Sequence, residues 1–308
     1  MLRIGYNPRI SEKGEREAVT RPERALRTIA LAIVCCGGIG CSAVTSSMTG
    51  RLADSLAVSI LNQNDPETVR QGAPAYLLMI DGFIADDPEN IDVLLAAAQL
   101  NSSYAGAFVD DPERQSLMAE KARDLAWKAS CLSNKKTCGM WQRPYDEFES
   151  VVDTLGPHDL AAAYAAATAW AGWIEVNSDD WIAVADKARV EKLILHVVEL
   201  KPDYSGGDPY LYLGVLATLI PEALGGRPED GRRYFERAFE LSGGTNLMAK
   251  VLLAREYARA TFDRELHDRL CREVLDAEPK VDGRTLANTL AQHEARALLD
   301  DSEDYFGE

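Results

Sequence analysis

From residue 51 onward, apolar residues recur at intervals of three and four, the spacing that gathers them on one face of an α-helix. Runs that alternate apolar and polar residues, the signature of a half-buried strand, are scarce. The pattern predicts helices over 51–62, 66–85, 89–108, 112–132, 145–154, 158–176, 181–201, 208–221, 228–242, 246–260, 264–277 and 284–300. Three of the breaks share one text: Asp65-Pro66-Glu67, Asp87-Pro88-Glu89 and Asp111-Pro112-Glu113. An aspartate there can accept hydrogen bonds from free backbone N–H groups, proline suits the first helical position, and glutamate complements the positive end of the dipole. Each triplet therefore reads as a helix start. The linkers are short, which makes consecutive helices antiparallel neighbours.

The helix at 158–176 is apolar almost all round, so it is buried between layers or faces a cavity. Tyr164, Trp170 and Trp173 are its only bulky residues. Two uses fit them: core packing, or an aromatic-lined groove for a ligand or peptide that would also draw on Tyr210 and Tyr212. Farther on, Tyr210-x-x-Leu213-Gly214 resembles the first-helix signature of a tetratricopeptide (TPR) repeat. Phe235, Ala238 and Leu241 stand where the second helix of such a pair carries its packing residues. Helix ends at Lys201, Ser242 and Glu278 are offset by 41 and 36 residues, against about 34 in the standard repeat. The expectation is an all-α stack of about four TPR-like helix pairs, with two helices before it and 284–300 capping it.

The first fifty residues read differently. Residues 1–27 carry seven Lys/Arg against four Glu, and an apolar run from Thr28 to Gly40 follows, ending at Cys41. Thirteen residues span about 20 Å as a helix, short of the ~30 Å hydrocarbon core, so a secretory h-region fits better than a membrane span. Gly38-Ile39-Gly40-Cys41 resembles a bacterial lipobox, although glycine stands where leucine is usual. The expected organisation is a signal segment over 1–41, acylation at Cys41, a small polar tether over 42–50, and a helical domain over 51–306. Val19 is an alternative start.

Removing 1–41 leaves 26 Lys/Arg against 45 Asp/Glu, a net −19. Such a charge argues against nucleic-acid binding and leaves membrane attachment to the lipid on Cys41. Cys131 and Cys138 bracket a polar loop and are candidates for a local disulfide in an oxidising compartment; a zinc site lacks further ligands. Cys271 lies four residues after His267, where a buried inert thiol is the ordinary reading. The chain contains no phosphate-binding loop, nucleophile elbow or HExxH motif. His158-Asp159 and His267-Asp268 fall near helix starts, where capping and solvation account for them. No catalytic residue, metal or cofactor is expected.

Five segments carry a wider resemblance: Trp170–Ile174, Ala188–Tyr204, Gly225–Gly244, Phe262–Pro279 and Leu286–Phe306. In that order they resemble the T component of tripartite ATP-independent periplasmic (TRAP) transporters, a family of TPR-like lipoproteins. The resemblance implies a periplasmic, membrane-tethered accessory subunit that is not an enzyme, assembles with a substrate-binding protein and forms a homotrimer. The apolar interior of such a subunit could hold a small apolar or amphipathic ligand. A general TPR scaffold for envelope assembly is the alternative, and an enclosed cleft lined by Trp170, Trp173, Tyr210 and Tyr212 would separate the two.

Overall fold

Capping residues set where the helices begin. The computed structural model describes residues 55–307, which are helical with no strand among them. The expectations for residues 1–50, Cys41 among them, lie outside the described residues. After a helical segment at 55–61, α1 (Pro66–Asp86) starts as its triplet predicts, with Asp65 accepting the Glu67 N–H at 3.1 Å. Likewise, α3 (Pro112–Ser133) starts under Asp111, which accepts the Arg114 N–H at 2.8 Å. The middle triplet does not start a helix. Asp87 closes α1 by donating its N–H to Phe83, and Asn90 caps α2 (Ile91–Phe108) through the Val93 N–H. With Asn90 available, the predicted start at 89 moves to 91.

The remaining helices are α4 (Tyr145–Val152), α5 (Leu160–Val176), α6 (Trp181–Ala185), α7 (Lys187–Leu200), α8 (Asp208–Thr218) and α9 (Pro228–Leu241). They continue as α10 (Leu247–Leu252), α11 (Arg264–Asp276), α12 (Thr285–Asp300) and α13 (Ser302–Phe306). Two predicted helices are not uniform. The stretch 181–201 divides at Asp186, and 246–260 passes from α10 into a π-helical turn, Leu253–Ala258.

Successive helices lie side by side: α2 on α3, α3 on α5, α5 on α7, α7 on α8, α8 on α9, and α11 on α12. Small residues permit the tightest of these contacts. A Cβ on Gly214 of α8 would lie 2.3 Å from the Phe235 ring of α9, so glycine is what lets that ring seat. On α5, buried alanines at 162, 163, 166, 167 and 169 do the same for its neighbours. One core joins α3, α4, α5, α7 and α8, and a second joins α9 to α12.

A third core brings the two ends of the array together. Leu286 of α12 is buried with Val69, Ala73 and Leu77 of α1. Beside it Asn62 donates to the Asp282 carboxylate at 2.8 Å and accepts the Gly283 N–H at 2.7 Å. The last long helix thus completes a circuit with the first rather than capping an open stack.

Candidate functional site

The five aromatic residues singled out from sequence separate into four environments. Trp170 is fully buried and meets Trp127 edge-on at 5.5 Å and Phe148 at 6.1 Å. It packs the core and offers no surface to a ligand. Trp173, three residues on and half-buried, lies 4.3 Å from the Arg123 guanidinium, whose other side faces Trp141 at 5.3 Å. Arg123 therefore occupies its own aromatic sandwich, a cation–π arrangement that closes the space to anything else. Tyr210 is half-buried against Tyr234 at 6.1 Å. Tyr164 and Tyr212 do meet, with ring centroids 6.2 Å apart, and Tyr204 joins them at 5.1 Å.

That tyrosine trio stands at one end of a stripe on α5. Tyr164, Thr168, Ala171 and Glu175 are spaced by four, three and four residues, so they share a face of the helix. All four retain solvent contact, while the opposite positions are buried. The tyrosine hydroxyls of Tyr164, Tyr204 and Tyr212 have no hydrogen-bond partner among the described residues. Burial nevertheless raises the Tyr164 phenol well above its ordinary range, with Tyr212 and Asp208 adding to the effect. Burial also pushes Tyr212 up to about 12, helped by the charges of Asp208 and Glu175. This end of the face looks onto α8 and the segment before it, from which Tyr212 and Tyr204 reach Tyr164.

Glu175 continues the face at the other end of the stripe. Burial raises its pKa, Arg255 opposes the rise, and Glu256 and Glu294 add to it. These three come from the π turn and from α12, helices that α5 does not flank. Arg255 is already committed, to Glu256 at 2.5 Å and to Glu294 at 2.6 Å. Among the described residues Glu175 has no ion-pair partner, and the arginine whose charge opposes its pKa rise is already paired. Closer to the tyrosines, Arg284 binds Asp208 at 2.8 Å and the Ser205 carbonyl at 3.0 Å. The face thus combines three phenols, a cluster of paired charges and, among the described residues, one carboxylate outside any ion pair. Sequence reading found the tyrosines and missed Glu175, Arg255 and Glu294, which are far apart in the chain and carry no local motif.

Trp170, Trp173 and Tyr210, expected beside Tyr212 around one cleft, each pack against other neighbours. A cavity of about 240 Å³ lies elsewhere, between α9, α10 and α11, floored by Phe235, Leu253 and Leu270 and rimmed by Arg232, Lys250 and Glu273. Cys131 and Cys138 are bonded to each other at the end of α3, with Cα atoms 4.5 Å apart.

Of the two His–Asp pairs, expected as solvated caps, only His158 is exposed. Asp159 is buried, accepting the Gly156 N–H at 2.9 Å and the Asn134 amide at 3.2 Å. His267 is fully buried between Asp268 at 3.0 Å and Arg259 at 3.4 Å. Asp268 also accepts the Ser302 hydroxyl at 2.7 Å, so the pair fastens α13 to α11. Burial pushes the Cys271 thiol up to about 12, which keeps it protonated and unreactive. Among the described residues no group of three His, Cys, Asp or Glu side chains is placed to hold a metal ion.

Residues 62–306 match the family described as TRAP transporter T-component. No curated protein matches the chain.

Proposed function

The chain belongs to the TRAP transporter T-component family, and from that premise we propose that it is a periplasmic lipoprotein, anchored through Cys41, that docks the substrate-binding subunit of its transporter. In this reading the protein is an accessory subunit and performs no reaction. It works as a homotrimer and passes a small amphipathic solute along this face of α5 to or from the partner. Phenol rings would take the apolar part of that solute, and free hydroxyls with the Glu175 carboxylate would take its polar part.

The observation that favours transport over a general scaffold is the closure of the array. Scaffold repeats display an open concave groove in which a peptide can lie along the surface. Here α12 meets α1, and the charges of Arg255 and Glu294 are felt at Glu175. The test is co-purification of the full chain, in mild detergent, with the substrate-binding subunit of the same transporter at low salt. A complex that weakens as salt rises is expected, given the acidic body. Absence of that complex, together with capture of outer-membrane assembly factors, would favour the scaffold instead. Replacement of Cys41 by alanine should release the protein from membranes; retention of the variant at unchanged mature length would remove the anchor from this reading.

A further inference from the structure

The π turn ends in a Schellman motif: the Asp263 N–H reaches back to the Ala258 carbonyl at 2.8 Å and the Phe262 N–H to Arg259 at 3.1 Å. The residue at the left-handed position of this motif is ordinarily glycine. Here it is Phe262, with φ of 58°. A side chain in that conformation carries backbone strain, which persists only when something compensates for it. Core packing is a poor candidate, because Phe262 is 66% exposed.

The ring is instead the outermost member of an aromatic group at the C-terminal end. Phe262 lies 6.0 Å from Tyr305 and 5.5 Å from Phe306, and Tyr305 is itself 41% exposed. The group rests on a rigid base. Arg259 supports the Tyr305 ring at 4.4 Å and is held by Asp301 at 2.8 Å, while Phe306 packs on buried His267 at 5.2 Å. Exposed carboxylates flank these rings along the chain: Asp263 and Glu265 after Phe262, Glu303 and Asp304 before Tyr305. Preorganised aromatic anchors within a charged rim have the anatomy of an interface hot spot. The acidic rim also disfavours an anionic lipid surface.

We propose that Phe262, Tyr305 and Phe306 form the docking face for the transporter's substrate-binding subunit, with Phe262 and Tyr305 entering an apolar recess rimmed by that subunit's lysines and arginines. This rests on the reading given under Proposed function, and the experiment separates the two. Binding of the full chain to the purified substrate-binding subunit is measured at several salt concentrations for the wild type, for Phe262→Gly and for Glu303→Lys/Asp304→Lys. Glycine relieves the backbone, so Phe262→Gly should melt at or above the wild-type temperature while binding about tenfold more weakly or worse. The double lysine variant should associate several-fold more slowly, with a flatter salt dependence. Wild-type binding that both variants retain would overturn the docking face and leave the accessory role standing. Failure of the wild type to bind would overturn both. A Phe262→Gly protein that loses stability and binding together, beside a double variant that binds normally, would reduce Phe262 to a packing residue.

Discussion

Two aromatic clusters in this molecule are built from the same parts and arranged to opposite ends. In the first, Trp127, Trp141, Trp170, Trp173 and Phe148 gather around Arg123. In the second, Phe262, Tyr305 and Phe306 gather over Arg259. Each has an arginine within about 4.4 Å of a ring, tied to a nearby carboxylate. They differ in what lies above the rings. Helices α4, α5 and α7 cover the tryptophans, whereas Phe262 stays 66% exposed. Aromatic content by itself therefore does not distinguish a core from a recognition surface; burial and backbone strain do.

The sharpest way to break the comparison is to truncate the centre of the buried cluster. Trp170→Ala should destabilise the fold by about 3–5 kcal/mol, measured by urea unfolding. A loss under about 1 kcal/mol would mean the cluster is not a core. Next comes the loop that follows α3. Cys138→Ser opens a short covalent ring, which on a chain-entropy basis should cost about 2.5 kcal/mol, visible as a lower unfolding temperature in oxidising buffer. The same variant compared under reducing conditions should show no difference. In the exposed cluster the sign reverses: Phe262→Gly should stabilise by up to about 1 kcal/mol, because strain is removed and little packing is lost.

The smallest effect sharpens the comparison within one helix. Glu175 lies five residues beyond Trp170 on α5 but on its accessible face. Its folded pKa is raised, so the folded state favours the protonated form and stability rises as pH falls through that pKa towards the unfolded value near 4.5. Glu175→Gln should therefore be slightly more stable than wild type at pH 7. The gap should close as the pH approaches 4.5, as thermal melts across pH would show. A gap that widens on acidification would mean that Arg255 stabilises the carboxylate after all.

How far the sequence could be read depended on whether a signal was local. Helix starts under Asp65 and Asp111 were legible because the cap and its target lie within three residues. The third triplet, at Asp87, misled because Asn90 three residues later makes the better cap. On α5 the apolar residues run around the whole helix, so periodicity could not tell that Trp170 is buried while Tyr164 keeps solvent contact. Arg255 and Glu294 lie far from Glu175 in the chain, and their charges reach it only in the folded molecule. No pattern along the chain marks them. Phe262 was hidden for a different reason: its spacing fits an ordinary helix end, and only its left-handed φ sets it apart.

The contact between Asn62 and Gly283 joins residues separated by 221 positions. In an open solenoid every stabilising contact is local, so folding can nucleate anywhere and spread. A pairing of this range raises the contact order and can form only after the intervening helices have come close to their final curvature. Made in order from the N-terminus, the first helix must wait for nearly the whole chain before its partner arrives. Until then the apolar face of α1 that bears Val69, Ala73 and Leu77 stays open to water, a period in which chaperones would find a handle that the finished molecule no longer offers.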